Sequence, residues 1–347
     1  MQVIIPLAGK GTRLRPHTHT VPKPLIKVAG RPVMDWVMDR LEGLDVEELI
    51  FITGHLKEQV EAYARKRYPI PSRFVEQQVQ DGTAGAINLA RPHVHGPVMI
   101  IFVDTVFDAD LGIVKGSADD GIIWAKEVED YQRFGVVVTD ARGYMTKIVE
   151  KPREPVSKLA NIGLYWIRAV DQMWRGIDHV LASPQNKGEW FLTDAFQWMI
   201  ERGAKIRTAE VAGWYDCGTV ETTLETNRIL LEKGAQADRQ GPQPARGPAG
   251  ARPGARKTTG RRLAPAVTIV EPCYIEDDVV IERSTVGPYA SIEAGTVIRD
   301  SLVTNAIIGR DCRLERVKLD GALLGDAVVA EGLVGSASLG SHSEVRV

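Results

Sequence analysis

The sequence predicts an α/β domain built on a doubly wound mixed sheet, followed by a solenoid of short strands. Three observations carry this. Strand-sized apolar runs alternate with helix-spaced segments through roughly the first third of the chain. Strand-like runs then follow one another without intervening helices. After Pro265 aliphatic residues recur six apart, a period that no helix stripe has.

The chain has 347 residues, 44% hydrophobic and 25% charged, an ordinary globular mix for two or three domains. Lys and Arg number 43 against 45 Asp and Glu, a net charge of -2. That balance excludes a strongly basic nucleic-acid coat and an acidic disordered chain. Cys217, Cys273 and Cys312 lie far apart with no CxxC, which speaks against a disulfide scaffold or a cysteine zinc site and for a reducing cytosol. The longest apolar runs, such as Val98–Val103, are strand-sized, far short of the roughly 20 residues a bilayer needs. Met1–Leu7 has no basic leader, and Gly9 and Lys10 cut its apolar run short, so it reads as a buried strand. A cytoplasmic protein with no membrane and no nucleic-acid partner is expected.

In order, Val3–Leu7 reads as a strand running into a glycine-rich loop. Met34–Leu41 has helical spacing, Leu49–Thr53 is a strand, and Lys57–Tyr68 an amphipathic helix. Val98–Val103 is continuously apolar, as expected of a parallel strand covered on both faces. Ile122–Val128, Gly135–Thr139, Met145–Val149 and Leu164–Ile167 then read as an antiparallel insertion or extension of the sheet. Helices return at Leu192–Arg202 and Val220–Leu231. Residues 1–234 make this first domain.

Residues 235–265 are mostly Ala, Gly, Pro, Gln and Arg, with a single leucine, Leu263. Such a segment buries too little apolar surface to offset its ordering entropy and reads as a flexible linker. Its arginines leave a second reading, an arm for anions or RNA. In residues 266–347, Ile275, Ile281, Val286, Ile292, Ile298, Ile308 and Leu314 carry the six-residue period, and small or branched residues (Val279, Ala290, Thr296, Cys312, Val328) sit four after an aliphatic. This pattern resembles the hexapeptide repeat of left-handed parallel β-helices, with about four coils between Val267 and Val329.

The loop Pro6-Leu7-Ala8-Gly9-Lys10-Gly11-Thr12-Arg13-Leu14-Arg15-Pro16 follows the first strand directly. Its glycines let backbone N–H groups approach a ligand, and Arg13, Arg15 and Lys23 add positive charge, the composition of a polyphosphate cradle. It is neither GxxxxGK[ST] nor GxGxxG, which disfavours a P-loop and a dinucleotide fold. His17 and His19, like His93 and His95, are i,i+2 pairs without accompanying Cys or carboxylates. They read as polar loop residues rather than zinc ligands.

This loop, with Lys23-Pro24-Leu25-Ile26-Lys27-Val28-Ala29-Gly30-Arg31-Pro32, resembles the signature of sugar-1-phosphate nucleotidylyltransferases. The resemblance continues in order through Gln80-Asp81-Gly82-Thr83-Ala84-Gly85, Phe134-Gly135-Val136-Val137, Val149-Glu150-Lys151-Pro152, Asn161-Ile162-Gly163-Leu164-Tyr165 and Trp214-Tyr215-Asp216-Cys217-Gly218-Thr219. It spans about residues 1–231, and the β-helix occurs in longer members. It implies a Rossmann-like nucleotidyltransferase domain whose partners are a nucleoside triphosphate and a sugar 1-phosphate. A phosphate oxygen attacks the α-phosphorus in line and pyrophosphate leaves.

The roles that the resemblance implies follow residue by residue. Arg13 and Lys23 hold the triphosphate, and Arg13 stabilises the transition state. Ala8, Gly9, Gly11 and Thr12 line the nucleotide. Gln80, Gly82 and Thr83 belong to the base-binding turn, with Gln77 as the alternative reader of the base edge. Asp104, at the end of an apolar strand, and Asp216 hold Mg2+, and Asp104 counts with Arg13 and Lys23 among the catalytic groups. Glu150 accepts hydrogen bonds from sugar hydroxyls, Lys151 pairs with the sugar phosphate, and Gly135 and Asn161 complete the pocket. Two residues depart from the family pattern: Val103 stands for the usual Gly before the first aspartate, and Ile162 for the usual Ala.

Glucose 1-phosphate with dTTP or UTP is the expected substrate pair. Mannose-1-phosphate guanylyltransferase is the runner-up, and a catalytically silent nucleotide-sugar-binding subunit the alternative from another class. The tail lacks the inter-coil histidine of the acetyltransferases it resembles, so a homo-oligomer formed through the β-helix is expected rather than a second active site.

Overall fold

The computed structural model describes residues 1–239 and 266–347. Thirteen strands shape the first part: β1 (Gln2–Pro6), β2 (Lys27–Val28), β3 (Arg31–Pro32), β4 (Glu48–Thr53), β5 (Ser72–Glu76), β6 (Val98–Ile101), β7 (Thr105–Asp108), β8 (Gly121–Glu127), β9 (Gly135–Thr139), β10 (Met145–Glu150), β11 (Leu159–Ile167), β12 (Ile206–Glu210) and β13 (Gly213–Asp216). The helices are α1 (Val33–Met38), α2 (Lys57–Arg67), α3 (Thr83–Asn88), α4 (Val170–Leu181), α5 (Leu192–Glu201) and α6 (Val220–Arg239).

The main sheet runs β10-β9-β11-β6-β1-β4-β5, with β8 on β11 and β12 on β8. Strands β6, β1, β4 and β5 are mutually parallel, while β11 pairs antiparallel with β6, β8 and β9. The sheet is therefore mixed, with the expected antiparallel extension. On one face Ile4, Ile50, Ile100 and Ile123 pack with Ile87 of α3, Ile177 of α4 and Phe196 of α5. The alternate residues Val3, Leu49, Phe51 and Met99 are buried as well, and Phe51 stacks on Phe74 at 5.2 Å. Burial on both faces explains why these strands read as continuous apolar runs. The run Val98–Val103 yields only a four-residue strand, because the chain leaves the sheet after Ile101, turns at Val103 and Asp104 and re-enters extended structure at β7.

After residue 265 the coils stack in three parallel columns, and Leu302–Ile308, Lys318–Leu324 and Val334–Leu339 each run through two of them. One column stacks Val280–Glu282, Val297–Arg299, Arg313–Glu315, Val329–Glu331 and Glu344–Arg346. Thr268 pairs with Thr285, Ala290 with Ala306 and Val329 with Glu344, so a coil shortens from 17 residues to 16 and then 15. This is a parallel β-helix. Three full hexapeptides would need about 18 residues. Left-handed backbone recurs at the corners between strands, at Arg283, Asp300 and Arg316, at Tyr289 and Asn305, and at Asp311, Ala327 and His342, and turns them sharply. All seven aliphatics that carry the period are buried, as are the five small or branched residues between them.

The described chain divides into two compact units, Met1–Lys10 with Gly43–Trp214, and Gly11–Glu42 with Tyr215–Val347. The first holds the sheet. The second holds the β-helix, α6 and the segment from Gly11 to Glu42. Helix α6 runs to Arg239, five residues into the segment expected to be linker, because Ala235, Gln236 and Ala237 are good helix formers. Residues 240–265, the rest of that segment, lie outside the described residues.

Candidate active site

In an open α/β sheet ligands gather at the carboxyl ends of the parallel strands. In the first unit that edge collects the loop after β1, Gln77 after β5 and Phe102–Asp104 after β6. The antiparallel strand β11 begins at the same edge: Leu164 pairs with Ile101, and the N–H of Phe102 donates to the Gly163 carbonyl at 2.9 Å. Glu150, the last residue of β10, pairs with Gly135, the first of β9. Topology alone thus brings residues 135, 150 and 161 together.

Their side chains form a tight polar cradle. Asn161 is buried and its amide donates to the Gly135 carbonyl at 2.8 Å. The Thr193 hydroxyl donates to Glu150 Oε2 at 3.0 Å, and the Tyr165 hydroxyl donates to Asn161 Oδ1. A Cβ on Gly135 would lie 2.3 Å from Asn161 Nδ2 and 2.7 Å from Glu150 Oε2, so only glycine fits there. Burial pushes the Glu150 carboxyl above its ordinary range, and the Lys151 ammonium, 3.9 Å from Glu150 Oε1, pulls it back together with the Thr193 hydroxyl. Burial likewise raises the Tyr165 phenol, reinforced by the carboxylates of Glu150 and Asp104. Lys151 sits at φ +46°, its ammonium 5.0 Å from the centre of the Phe191 ring, and Lys187 Nζ donates to its carbonyl at 2.6 Å.

The turn at residues 80–85 is clamped from behind. Gly82 adopts φ +120°, and a Cβ there would overlap the Trp190 backbone at 2.3 Å. The Thr83 hydroxyl accepts the Leu192 N–H at 2.8 Å. The two glutamines differ: Gln77 is buried and donates to Asp81 Oδ1 at 3.1 Å, whereas exposed Gln80 donates to the Ala8 carbonyl at 2.6 Å and ties the turn to the glycine loop. Val103 and Ile162, the two departures, are both buried.

The two loop glycines serve different ends. A Cβ on Gly9 would meet nothing among the described residues within 4 Å. That space is open. Gly11, at φ +60°, packs under Thr18 and Lys23, and a Cβ would come within 2.9 Å of Thr18 Cγ2. Within the second unit Arg13 and Asp216 approach each other at Gly218, whose Cβ would lie 2.8 Å from Asp216 Oδ1 and 3.2 Å from Arg13 Nη2. The Thr226 hydroxyl of α6 donates to the Asp216 carbonyl at 2.7 Å. Arg13 and Thr12 are exposed, and Lys23 is half-buried.

Asp104, in the first unit, and Asp216, in the second, are each hard oxygen donors of the kind Mg2+ takes alongside phosphate oxygens and water. Among the described residues no three His, Cys, Asp or Glu side chains come together as a ready-made metal cage. His17, expected as a polar loop residue, is instead buried and bonded to Ser338 Oγ at 3.0 Å, and burial pushes its imidazole down to about 4. Thr193 and Lys187 belong to the cradle but escape sequence reasoning. No motif or spacing marks them, since they reach Glu150 and Lys151 from distant elements. Tyr165 lies in a motif of the resemblance, four residues along the same strand from Asn161, but carries no role there.

A mixed α/β sheet that brings a glycine loop, an amide-bearing turn, an acidic strand end and a polar cradle to one edge is the frame of a nucleotide-handling transferase. The chain belongs to the nucleotidyl transferase family, which it matches over residues 2–233. The UTP–glucose-1-phosphate uridylyltransferase AglF of Haloferax volcanii is 33% identical over 247 residues, 68% of this chain and 99% of that protein. A glucose-1-phosphate thymidylyltransferase of Streptomyces griseus is 26% identical over 368 residues, covering 100% of this chain and 99% of that one. Among solved structures, UDP-glucose pyrophosphorylase complexed with UDP-glucose superposes with a TM-score of 0.58 over 67% of this chain and 98% of that chain, a likeness of fold at 21% identity. No helix among the described residues is long and apolar enough to cross a membrane.

Proposed function

We propose that the chain joins a nucleoside triphosphate to a sugar 1-phosphate, releasing pyrophosphate, with glucose 1-phosphate and dTTP or UTP as its substrates. The observation that carries this reading is the cradle of Gly135, Glu150, Asn161 and Thr193, at the same sheet edge as the open space at Gly9. The names of the Haloferax volcanii and Streptomyces griseus relatives support the choice of sugar and bases.

A sugar phosphate oxygen bonds to the α-phosphorus while the bond to the oxygen bridging α and β breaks. Two polyanions must meet, so the protein's task is positioning and charge neutralisation. Gly9 lets the backbone approach the triphosphate, Arg13 grips it with its planar fork, and Lys23 adds a point charge. Gln77 or Gln80 reads the base edge, with Gly82 and Thr83 shaping the turn. Glu150 and Asn161 accept and donate hydrogen bonds to sugar hydroxyls, and Lys151 pairs with the sugar phosphate. Asp104 and Asp216 would hold Mg2+, which when bound supplies charge neutralisation at the phosphates. We place the enzyme in the cytoplasm, where nucleoside triphosphates are made, and as a homo-oligomer through the β-helix.

Pyrophosphate release across a panel of sugar 1-phosphates and triphosphates tests this. Fastest turnover is expected for glucose 1-phosphate with dTTP or UTP. A preference for mannose 1-phosphate with GTP would move the enzyme to the guanylyl class. No turnover with any pair in the presence of Mg2+ would sink the catalytic reading.

A further inference from the structure

The segment from Gly11 to Gly30, which carries Thr12, Arg13 and Lys23, lies in one compact unit with the β-helix. Polar contacts tie it to coils at both ends of that solenoid. At the far end His17 Nε2 bonds to Ser338 Oγ at 3.0 Å, Thr20 Oγ1 lies 3.3 Å from Ser341 Oγ, and Pro16 packs on Gly340, where a Cβ would come within 3.0 Å. At the near end the Lys27 ammonium bonds to Glu293 Oε2, and Gly30 lies against the Tyr274 ring, which a Cβ would overlap. Asn227 of α6, fully buried, joins the two directly. Its Oδ1 accepts the Ala29 N–H at 2.8 Å and the Ser291 hydroxyl at 2.7 Å, while its Nδ2 donates to the Tyr289 carbonyl at 3.1 Å.

Glu293 is the telling residue. Its side chain is 5% exposed, and its second oxygen, Oε1, has no hydrogen-bond partner among the described residues. A carboxylate taken out of water is costly unless its partner is well placed. An appendage that served only to assemble subunits would have no need to aim a buried charge at Lys27, four residues from Lys23.

We propose that the β-helix is a working part of the nucleotide site. Glu293 acting through Lys27, and Ser338 acting through His17, are positioning residues. They fix the segment that presents Arg13 and Lys23 to the triphosphate. This rests on the triphosphate-binding role proposed above. The sugar cradle lies in the other unit, so the two substrates should respond differently.

The test uses the full chain with Glu293→Gln and, as a change too small to threaten folding, Ser338→Ala. Loss of a charge-assisted bond should raise KM for dTTP about tenfold in Glu293→Gln, and loss of a neutral one about threefold in Ser338→Ala. KM for glucose 1-phosphate should stay unchanged in both. The double variant Lys27→Gln, Glu293→Gln should recover part of the loss, because no unpaired charge remains. Unchanged dTTP kinetics in both single variants would overturn the proposal. So would a fall in kcat alone, with neither KM moved, which is the signature of a smaller folded fraction. If the wild type turns over no substrate pair, the catalytic reading fails on its own. The positioning claim is then read from calorimetric binding of dTTP, where a tenfold weakening in Glu293→Gln supports it and equal affinity overturns it.

Discussion

Glu150 and Asn161 are largely buried and already hydrogen-bonded to Thr193, Gly135 and Tyr165, whereas Arg13 is exposed and Lys23 half-buried on a segment of short turns. The difference follows from the ligands each region is proposed to take. Sugar hydroxyls are neutral and compete poorly with water, so a site that discriminates them must be dry and rigid before they arrive. A triphosphate is drawn from solution by charge at long range, so cations near the surface suffice for capture. The cradle is thus the costlier construction, as the burial that lifts the Glu150 carboxyl shows.

The comparison breaks most visibly at Asp104, proposed above as a ligand of Mg2+. Asp104→Asn keeps the shape of the strand end but removes a charge, and kcat should fall about a thousandfold with both KM values little changed. Steady-state kinetics at saturating Mg2+ measure this. A loss of less than about threefold would remove Asp104 from the catalytic groups.

Two glycine variants sharpen the contrast between the regions. Gly135→Ala forces a Cβ to within 2.3 Å of Asn161 Nδ2. It should lower kcat/KM for glucose 1-phosphate about a hundredfold through a displaced cradle, with dTTP affinity unaltered. Gly9→Ala meets no neighbouring atom of the described chain. Its Tm should stay within about 1 °C of wild type while KM for dTTP rises about tenfold, because the new methyl occupies ligand space. If Gly9→Ala destabilised the fold and left dTTP binding intact, the open space at residue 9 would have no functional meaning.

The same contrast governs what the sequence discloses. The β-helix is legible because its pattern is local and repeated, and the seven aliphatics that carry the period, Ile275 to Leu314, all turn inward. Strand β11 is only half legible. The apolar stretch Leu164–Ile167 shows, but the strand begins at Leu159, and Asn161 and left-handed Gly163 hide its start because function breaks the apolar pattern there. Motif residues such as Arg13, Glu150 and Lys151 are found through resemblance to a family. Thr193 is not found, because it joins Glu150 from a helix 43 residues further along the chain, and only the folded register creates that contact. His17 is misjudged for the same reason, since its burial depends on Ser338, 321 residues away.

That burial gives the smallest effect and a clear sign. In the folded chain the His17 imidazole is held neutral down to about 4, against 6.5 in the unfolded chain. A base whose folded value is depressed contributes stability that is fully present above pH 6.5 and lost as pH falls through 4. At about 1.4 kcal/mol per pH unit, the whole interval is worth about 3 kcal/mol, of which about 2 kcal/mol is lost by pH 5. Other groups titrate in this range, so the measurement is a difference: urea unfolding of wild type and His17→Gln at pH 7 and at pH 5. Gln stays neutral and can still reach Ser338, so its stability relative to wild type should improve by about 2 kcal/mol on going to pH 5. Parallel pH dependence in the two proteins would mean that His17 is wet in solution and that its contact with the last coil does not anchor the segment bearing Arg13.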